Sequence, residues 1–130
     1  MNTYEEPGQY KIEVYPEKNR YHLYFTGTAK KPGDIPHYLD HIGKTLEKLK
    51  SGLTLYVELT THVKPGFQIT SLFRASQKMT TEAGLRKAAI YLPKGFIVEK
   101  MVLNVTKSLS KMPISTFDDK EKALAWLDEK

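Results

Sequence analysis

The chain has no cysteine, which excludes a disulfide scaffold and any thiolate metal site. No apolar run approaches the ~18–20 residues that a membrane-spanning helix needs. The opening residues, Met1-Asn2-Thr3-Tyr4-Glu5-Glu6, are polar and acidic. They lack the basic segment and apolar stretch of a secretory signal. These absences point to the cytoplasm. Gly27, Gly33 and Gly66 form no phosphate-cradling or dinucleotide pattern, so no cofactor is expected.

Concentrated positive charge is also missing. The formal charge is +5, yet Lys30–Lys31, Lys44/Lys48/Lys50, Arg74/Lys78, Arg86–Lys87 and Lys100/Lys107/Lys111 are spread along the chain and broken by Glu and Asp. A nucleic-acid surface gathers its cations on one element with interleaved aromatics. Nucleic acid is therefore not an expected partner, and the charge reads as solubility.

What is present suits one domain, because two cores at half of 130 residues would each be marginal. Residues 1–8 read as a loose lead-in, and residues 9–130 as the domain. The organising stretch is Leu53 to Thr60. Leu53, Leu55, Val57 and Leu59 alternate with Thr54, Tyr56, Glu58 and Thr60, a strand between two helical patterns. Upstream, Tyr10, Ile12 and Val14 alternate with polar partners. Tyr21, Leu23 and Phe25 do the same, and Pro16-Glu17-Lys18-Asn19 between them is turn chemistry. The pair predicts an antiparallel hairpin.

Asp34 is placed to cap a helix with Pro36 in its first turn, and Ile35, Tyr38, Leu39, Ile42, Leu46 and Leu49 form its apolar stripe. Gly52 ends it. A second helix carries Ile69, Leu72, Phe73, Ser76 and Met79 and stops at Gly84. Lys87 to Leu92 is the next strand. A third helix carries Ile97, Met101, Val102, Val105 and Leu109. Ile114 to Phe117 is a short strand, and a last helix opens at Asp118 with Glu121 at capping-box spacing.

The expected fold class is α/β, with a mixed, mostly parallel five-stranded sheet and four helices. Thr54, Tyr56, Glu58 and Thr60 share a face too polar for a helix-packed core. That predicts two layers, with the helices mainly on the other face.

The segment Pro113-Ile114-Ser115-Thr116-Phe117-Asp118-Asp119-Lys120-Glu121-Lys122-Ala123-Leu124-Ala125-Trp126-Leu127 resembles the SpoIIAA-like (STAS/Sec14-related) family. There an apolar strand runs into Phe, an acidic helix start and an Ala-Leu-x-Trp-Leu helix. Arg86-Lys87-Ala88-Ala89-Ile90-Tyr91 matches that family's preceding strand. The resemblance implies a superhelix of βα units and non-enzymatic work, as a regulatory or protein-interaction module. The Sec14-related alternative is a carrier of a lipid or other small apolar ligand, with Met79, Met101 and Met112 as adaptable lining. Switchable STAS regulators carry Asp-Ser at the helix after the central strand. Lys64-Pro65-Gly66-Phe67-Gln68-Ile69-Thr70-Ser71 departs from that, Thr70 and Ser71 being the nearest hydroxyls, and this argues against a kinase-switched role.

Two sets of residues are candidate sites. Thr60, Thr61, His62, Lys64, Thr70 and Ser71 follow the C-terminal end of the central strand, where open α/β sheets place ligands and helix N–H groups accept anions. Tyr15, Tyr24, Tyr56 and Tyr91 collect on the face away from the helices, with His22 and Glu58 among them. Tyrosine rings suit protein interfaces. This face predicts a protein partner or a second copy in a C₂ homodimer, with Met1 to Pro7 as an alternative cover. Glu58 is set to pair with Lys11 or His22 across strands. His37 and His41, with Asp34, have metal-ligand spacing, but they sit opposite the apolar stripe and read as a polar helix face, so no metal is expected.

Overall fold

The computed structural model describes residues 2–7, 9–25, 33, 35–59, 70–91 and 114–129. They form an α/β fold with a mixed, mostly parallel six-stranded sheet and three helices. The strands are β1 (Asn2–Glu6), β2 (Tyr10–Tyr15), β3 (Arg20–Phe25), β4 (Thr54–Leu59), β5 (Lys87–Tyr91) and β6 (Ile114–Phe117). They lie side by side in chain order. The helices are α1 (Tyr38–Glu47), α2 (Thr70–Glu82) and α3 (Lys120–Asp128).

β2 and β3 form the expected hairpin, with Ile12 opposite Leu23. Its turn depends on Asn19, which adopts φ 53°, a left-handed conformation that asparagine tolerates. The Asn19 side chain fastens the turn to the end of the next connection. Its Nδ2 donates to the Lys50 carbonyl at 3.1 Å, and its Oδ1 accepts from the Lys50 N–H at 2.8 Å. β3, β4, β5 and β6 then run parallel. The connections between these parallel neighbours carry α1 and α2, which lie on one face of the sheet.

That face carries the main core. Tyr10, Ile12, Val14, Tyr21, Leu23, Phe25, Leu55, Ala88 and Ile90 from the sheet meet Ile35, Tyr38 and Ile42. Leu72 and Met79 of α2 pack against them. Two pairs of hydroxyls inside satisfy each other, Tyr38 with Ser76 at 3.0 Å and Tyr21 with Thr80 at 2.7 Å. Burial pushes the Tyr21 hydroxyl up to about 12. Gly84 ends α2 at φ 102°, and a Cβ there would stand 2.7 Å from Ser51 Cα. That close approach lets the Gly52 N–H donate to the Gly84 carbonyl at 2.7 Å, tying the two turns together.

Several expectations are corrected. Within the expected lead-in of residues 1–8, Asn2–Glu6 is not loose: it pairs antiparallel with β2 and makes a sixth strand where five were expected. Its one apolar side chain, Tyr4, packs on the core, too thin a pattern to read as a strand. Of the segment expected as an alternative cover, Asn2–Glu6 therefore extends the sheet edge and does not cover its tyrosine face. α1 starts at Tyr38, with His37 at its cap position, later than Asp34 and Pro36 suggested. The cap of α3 is Asp119, one residue after Asp118, and it accepts from the Glu121 and Lys122 N–H groups at 2.8 and 3.2 Å. The third predicted helix lies outside the described residues.

The largest correction concerns layers. Two layers were expected, with the helices mainly on one face: α1 and α2 do share a face, but α3 lies on the opposite side of the sheet, where Ala123 and Leu127 pack with Tyr56 and Ala89, and adds a third layer. Its C-terminal carbonyls are held by cations from the sheet. Lys87 donates to Trp126 and Glu129, each at 2.9 Å, and Arg86 to Leu127 at 3.1 Å. Cations belong at that end of a helix dipole. The nearly buried Arg20 adds an ion pair to Asp128 at 2.7 Å, while its Nε donates to Thr54 Oγ1 at 2.8 Å.

Candidate functional site

β-sheet registry puts side chains of rows Lys11–Tyr24–Glu58 and Glu13–His22–Tyr56 side by side on the face that α3 half covers. α3 occupies the β4–β6 side. Beside it, β2 and β3 present a floor of Lys11, Glu13, Tyr15, His22 and Tyr24. Tyr15, Tyr24, Tyr56 and Tyr91 do share this face, as the alternation predicted. They are not equivalent there. Tyr56 is fully buried against α3. Tyr24 and Tyr91 are half-buried at the edge of that contact, and Tyr15 is half-buried on the floor. The face is therefore not an open sheet surface: the chain's own C-terminal helix covers part of it.

The rings form a continuous series of tilted and edge-on contacts. His22 lies between Tyr15 and Tyr56, with centroids 4.5 and 5.0 Å away. Tyr24 meets Tyr56 at 6.1 Å. Hydroxyls and carboxylates tie the rings together. The Tyr15 hydroxyl donates to Glu13 at 3.0 Å, and Tyr24 also bonds that carboxylate. The Tyr56 hydroxyl donates to Glu58 at 2.7 Å. His22 Nδ1 and the Tyr24 hydroxyl are 3.0 Å apart. Lysines complete the pattern, with Lys11 on Glu13 and Lys120 on Glu58, each at 3.5 Å. Glu58 thus pairs with Lys120 and not with Lys11 or His22.

The electrostatics of this cluster are quiet near neutral pH. Burial, with help from the Arg20 charge, lowers His22 to about 4, against a weaker pull from Glu13. Burial and the neighbouring carboxylates push the Tyr24 and Tyr56 hydroxyls well up. For Glu13, burial acts upward, but the hydrogen bonds from Tyr15 and Tyr24 and the Lys11 charge outweigh it, so it falls below its ordinary value. A general acid or base needs a pKa near its working pH. This set holds a neutral histidine and raised phenols beside carboxylates paired with lysines.

The other candidates resolve differently. Thr60, Thr61, His62 and Lys64 lie outside the described residues, and so do the side chains of Thr70 and Ser71, whose backbone opens α2. His41 is not on a solvated face. It stacks on Tyr4 at 5.5 Å, and its Nδ1 is 2.6 Å from the Tyr10 hydroxyl. Glu6 accepts from the His37 N–H at 2.8 Å. β1 is thereby fastened to α1, and among the described residues no group of three His, Asp or Glu side chains could hold a metal ion. No described helix is long and apolar enough to cross a membrane.

Glu13, Arg20 and Lys120 are the members that sequence reading missed. Glu13 was within reach, since the hairpin register sets it opposite His22. Lys120 and Arg20 gave no signal, because the contacts of Lys120 with β3 and β4 and of Arg20 with Asp128 arise only when α3 folds back across the sheet. Compared with family models, curated proteins and solved structures, the chain matches none.

Proposed function

We propose that this chain is a SpoIIAA-like, STAS-type interaction module that binds a protein partner without turnover, using the tyrosine floor beside α3. The carrying observation is the cluster itself. Its histidine is held neutral down to about pH 4, its phenols are raised and its carboxylates are already paired. Such a surface offers rings with polar tips and fixed charge, which suits protein contact, and no group poised for proton transfer. Strand order β1 to β6 in sequence, with α1 and α2 on one face, agrees with the βα superhelix that the residues of β5, β6 and α3 suggest. The Lys64–Ser71 stretch lacks the Asp-Ser signature, so partner binding here is constitutive and not phosphorylation-switched.

The lipid-carrier alternative requires a pocket of roughly 300 Å³ or more. The cavity that α2 makes with β4, β5 and β6, lined by Leu55, Val57, Gln77, Leu85, Ile90 and Ile114 among others, measures about 20 Å³. That is the space of one water molecule, so this cavity among the described residues is not a carrier's pocket.

Native mass spectrometry of the protein purified from its own host tests the reading. The expected spectrum shows a stoichiometric second polypeptide, or a doubled mass if the partner is another copy. Tyr15→Glu with Tyr24→Glu should remove it. A bound acyl ligand in place of a protein would contradict the module.

A further inference from the structure

One cation on this face is placed unlike the others. Lys120 Nζ stands 5.3 Å from the centroid of Tyr24, 5.6 Å from that of Tyr56 and 3.5 Å from Glu58 Oε1. Two ring faces and a carboxylate converging on one ammonium make a cation box, since aromatic faces are negative and attract charge within about 6 Å. The Tyr56 hydroxyl donates to Glu58 Oε1 at 2.7 Å and so fixes the carboxylate toward the rings. Lys87, by contrast, sits 4.8 Å over Trp126 but is committed to two helix carbonyls. Lys11 lies on Glu13.

We propose that Tyr24, Tyr56 and Glu58 form a receptor for a lysine or arginine side chain of a protein partner, and that Lys120 fills it in the free chain. The inference rests on the interaction reading above and names the chemistry of the partner. Lys120 is a suitable placeholder. Its side chain is 46% exposed, and it is the first residue of α3, whose start is secured by Asp119. It can swing into water without uncapping the helix. Exchange of one cation for another leaves the charge of the box unchanged, so neither state strands Glu58.

A protein is the better source than a free small cation. The box opens onto the β2–β3 floor, where Glu13 and Tyr15 extend the same surface. A lone ammonium gains only about 2 kcal/mol from such contacts. A basic residue carried on a longer chain adds contacts along the floor.

The test uses n-butylammonium, a lysine side-chain analogue, titrated while the Tyr24 and Tyr56 ring signals are followed by NMR. Lys120→Ala should bind it with a Kd on the order of tens of millimolar. The wild type should bind at least ~10-fold more weakly, because its own lysine competes, a difference of about 1.4 kcal/mol. Lys120→Arg should behave as the wild type. Lys120→Ala with Glu58→Gln should lose the binding, and neutral n-butanol should shift nothing. Lys120→Met, which keeps the aliphatic stem over the rings, should match the alanine variant and guards against a packing artefact.

Binding equal in wild type and Lys120→Ala, or binding unaffected by Glu58→Gln, overturns the receptor. Tetralysine should bind Lys120→Ala more tightly than n-butylammonium. Equal affinity per site would assign the box to a free small cation and overturn the protein source. These titrations use no native partner, so they fail or succeed independently of the mass spectrum that tests the interaction reading.

Discussion

Replacing Tyr56 by alanine is expected to lower stability by about 4 kcal/mol, the range for emptying a fully buried aromatic site. Among the described residues Tyr56 is the largest side chain fully buried on the second face, and it sits in the small cluster with Ala89, Ala123 and Leu127. Alanine removes the ring from beneath α3 and from its contacts with His22 and Tyr24. It also takes away the hydroxyl that donates to Glu58. Its neighbours are small on the α3 side, so the gap cannot close by rotamer change alone. The urea midpoint measures the effect. A loss below about 1 kcal/mol, typical of an exposed position, would mean that α3 does not rest on this ring.

Acidification is expected to weaken the fold by about 3 kcal/mol through His22 alone. Its pKa falls from the ordinary 6.5 to about 4 in the folded chain. Above pH 6.5 the ring is neutral in both states and contributes no pH dependence. Below that, the unfolded chain binds a proton that the folded chain refuses until about pH 4, so stability falls as pH drops across this window. The drop from 6.5 to about 4 converts to about 3 kcal/mol at 1.36 kcal/mol per pH unit. Denaturant melts at pH 7 and pH 4 should show that loss in the wild type, and His22→Phe should lack that part of it. The paired carboxylates Glu13 and Asp128 are both lowered, the latter by its hydrogen bond to Arg20. Their contribution begins to fade as pH drops toward their ordinary 4.5 and 3.8 and is lost as it falls through their depressed values, so the His22→Phe comparison, not the pH 4 melt alone, isolates the histidine. Equal pH dependence in wild type and His22→Phe would contradict the buried neutral ring.

Most of the sheet was legible because its strands alternate cleanly. The face assignment of Tyr15, Tyr24, Tyr56 and Tyr91 followed from Leu55 and Val57 alone, and the hairpin followed from Pro16 and Asn19. β1 was not legible, since Tyr4 is its only ring and strands at an edge need little apolar content. The polar character of Thr54, Tyr56 and Glu58 was read as an uncovered surface. It is instead the lining that a narrow helix needs. Ala123 and Leu127 require only Tyr56 and Ala89 beneath them, and the hydroxyls and carboxylate find partners at the helix edge. Lys120, Arg86, Lys87 and Arg20 act through α3, and spacing along the chain carries no sign of that. The capping error is smaller. Asp118 and Asp119 stand side by side, and which of them accepts the first N–H groups is decided by the path of the chain leaving β6.

The interaction role is tested most directly by site-specific photocrosslinking in the host cell. A photoreactive residue would replace Lys11 or Tyr15 on the floor beside α3, and Lys44 or Lys78 on the exposed sides of α1 and α2. The account predicts that positions 11 and 15 crosslink to one and the same protein and that positions 44 and 78 do not. Crosslinks from positions 44 and 78 with none from 11 and 15 would place the partner on the opposite side of the molecule and contradict it.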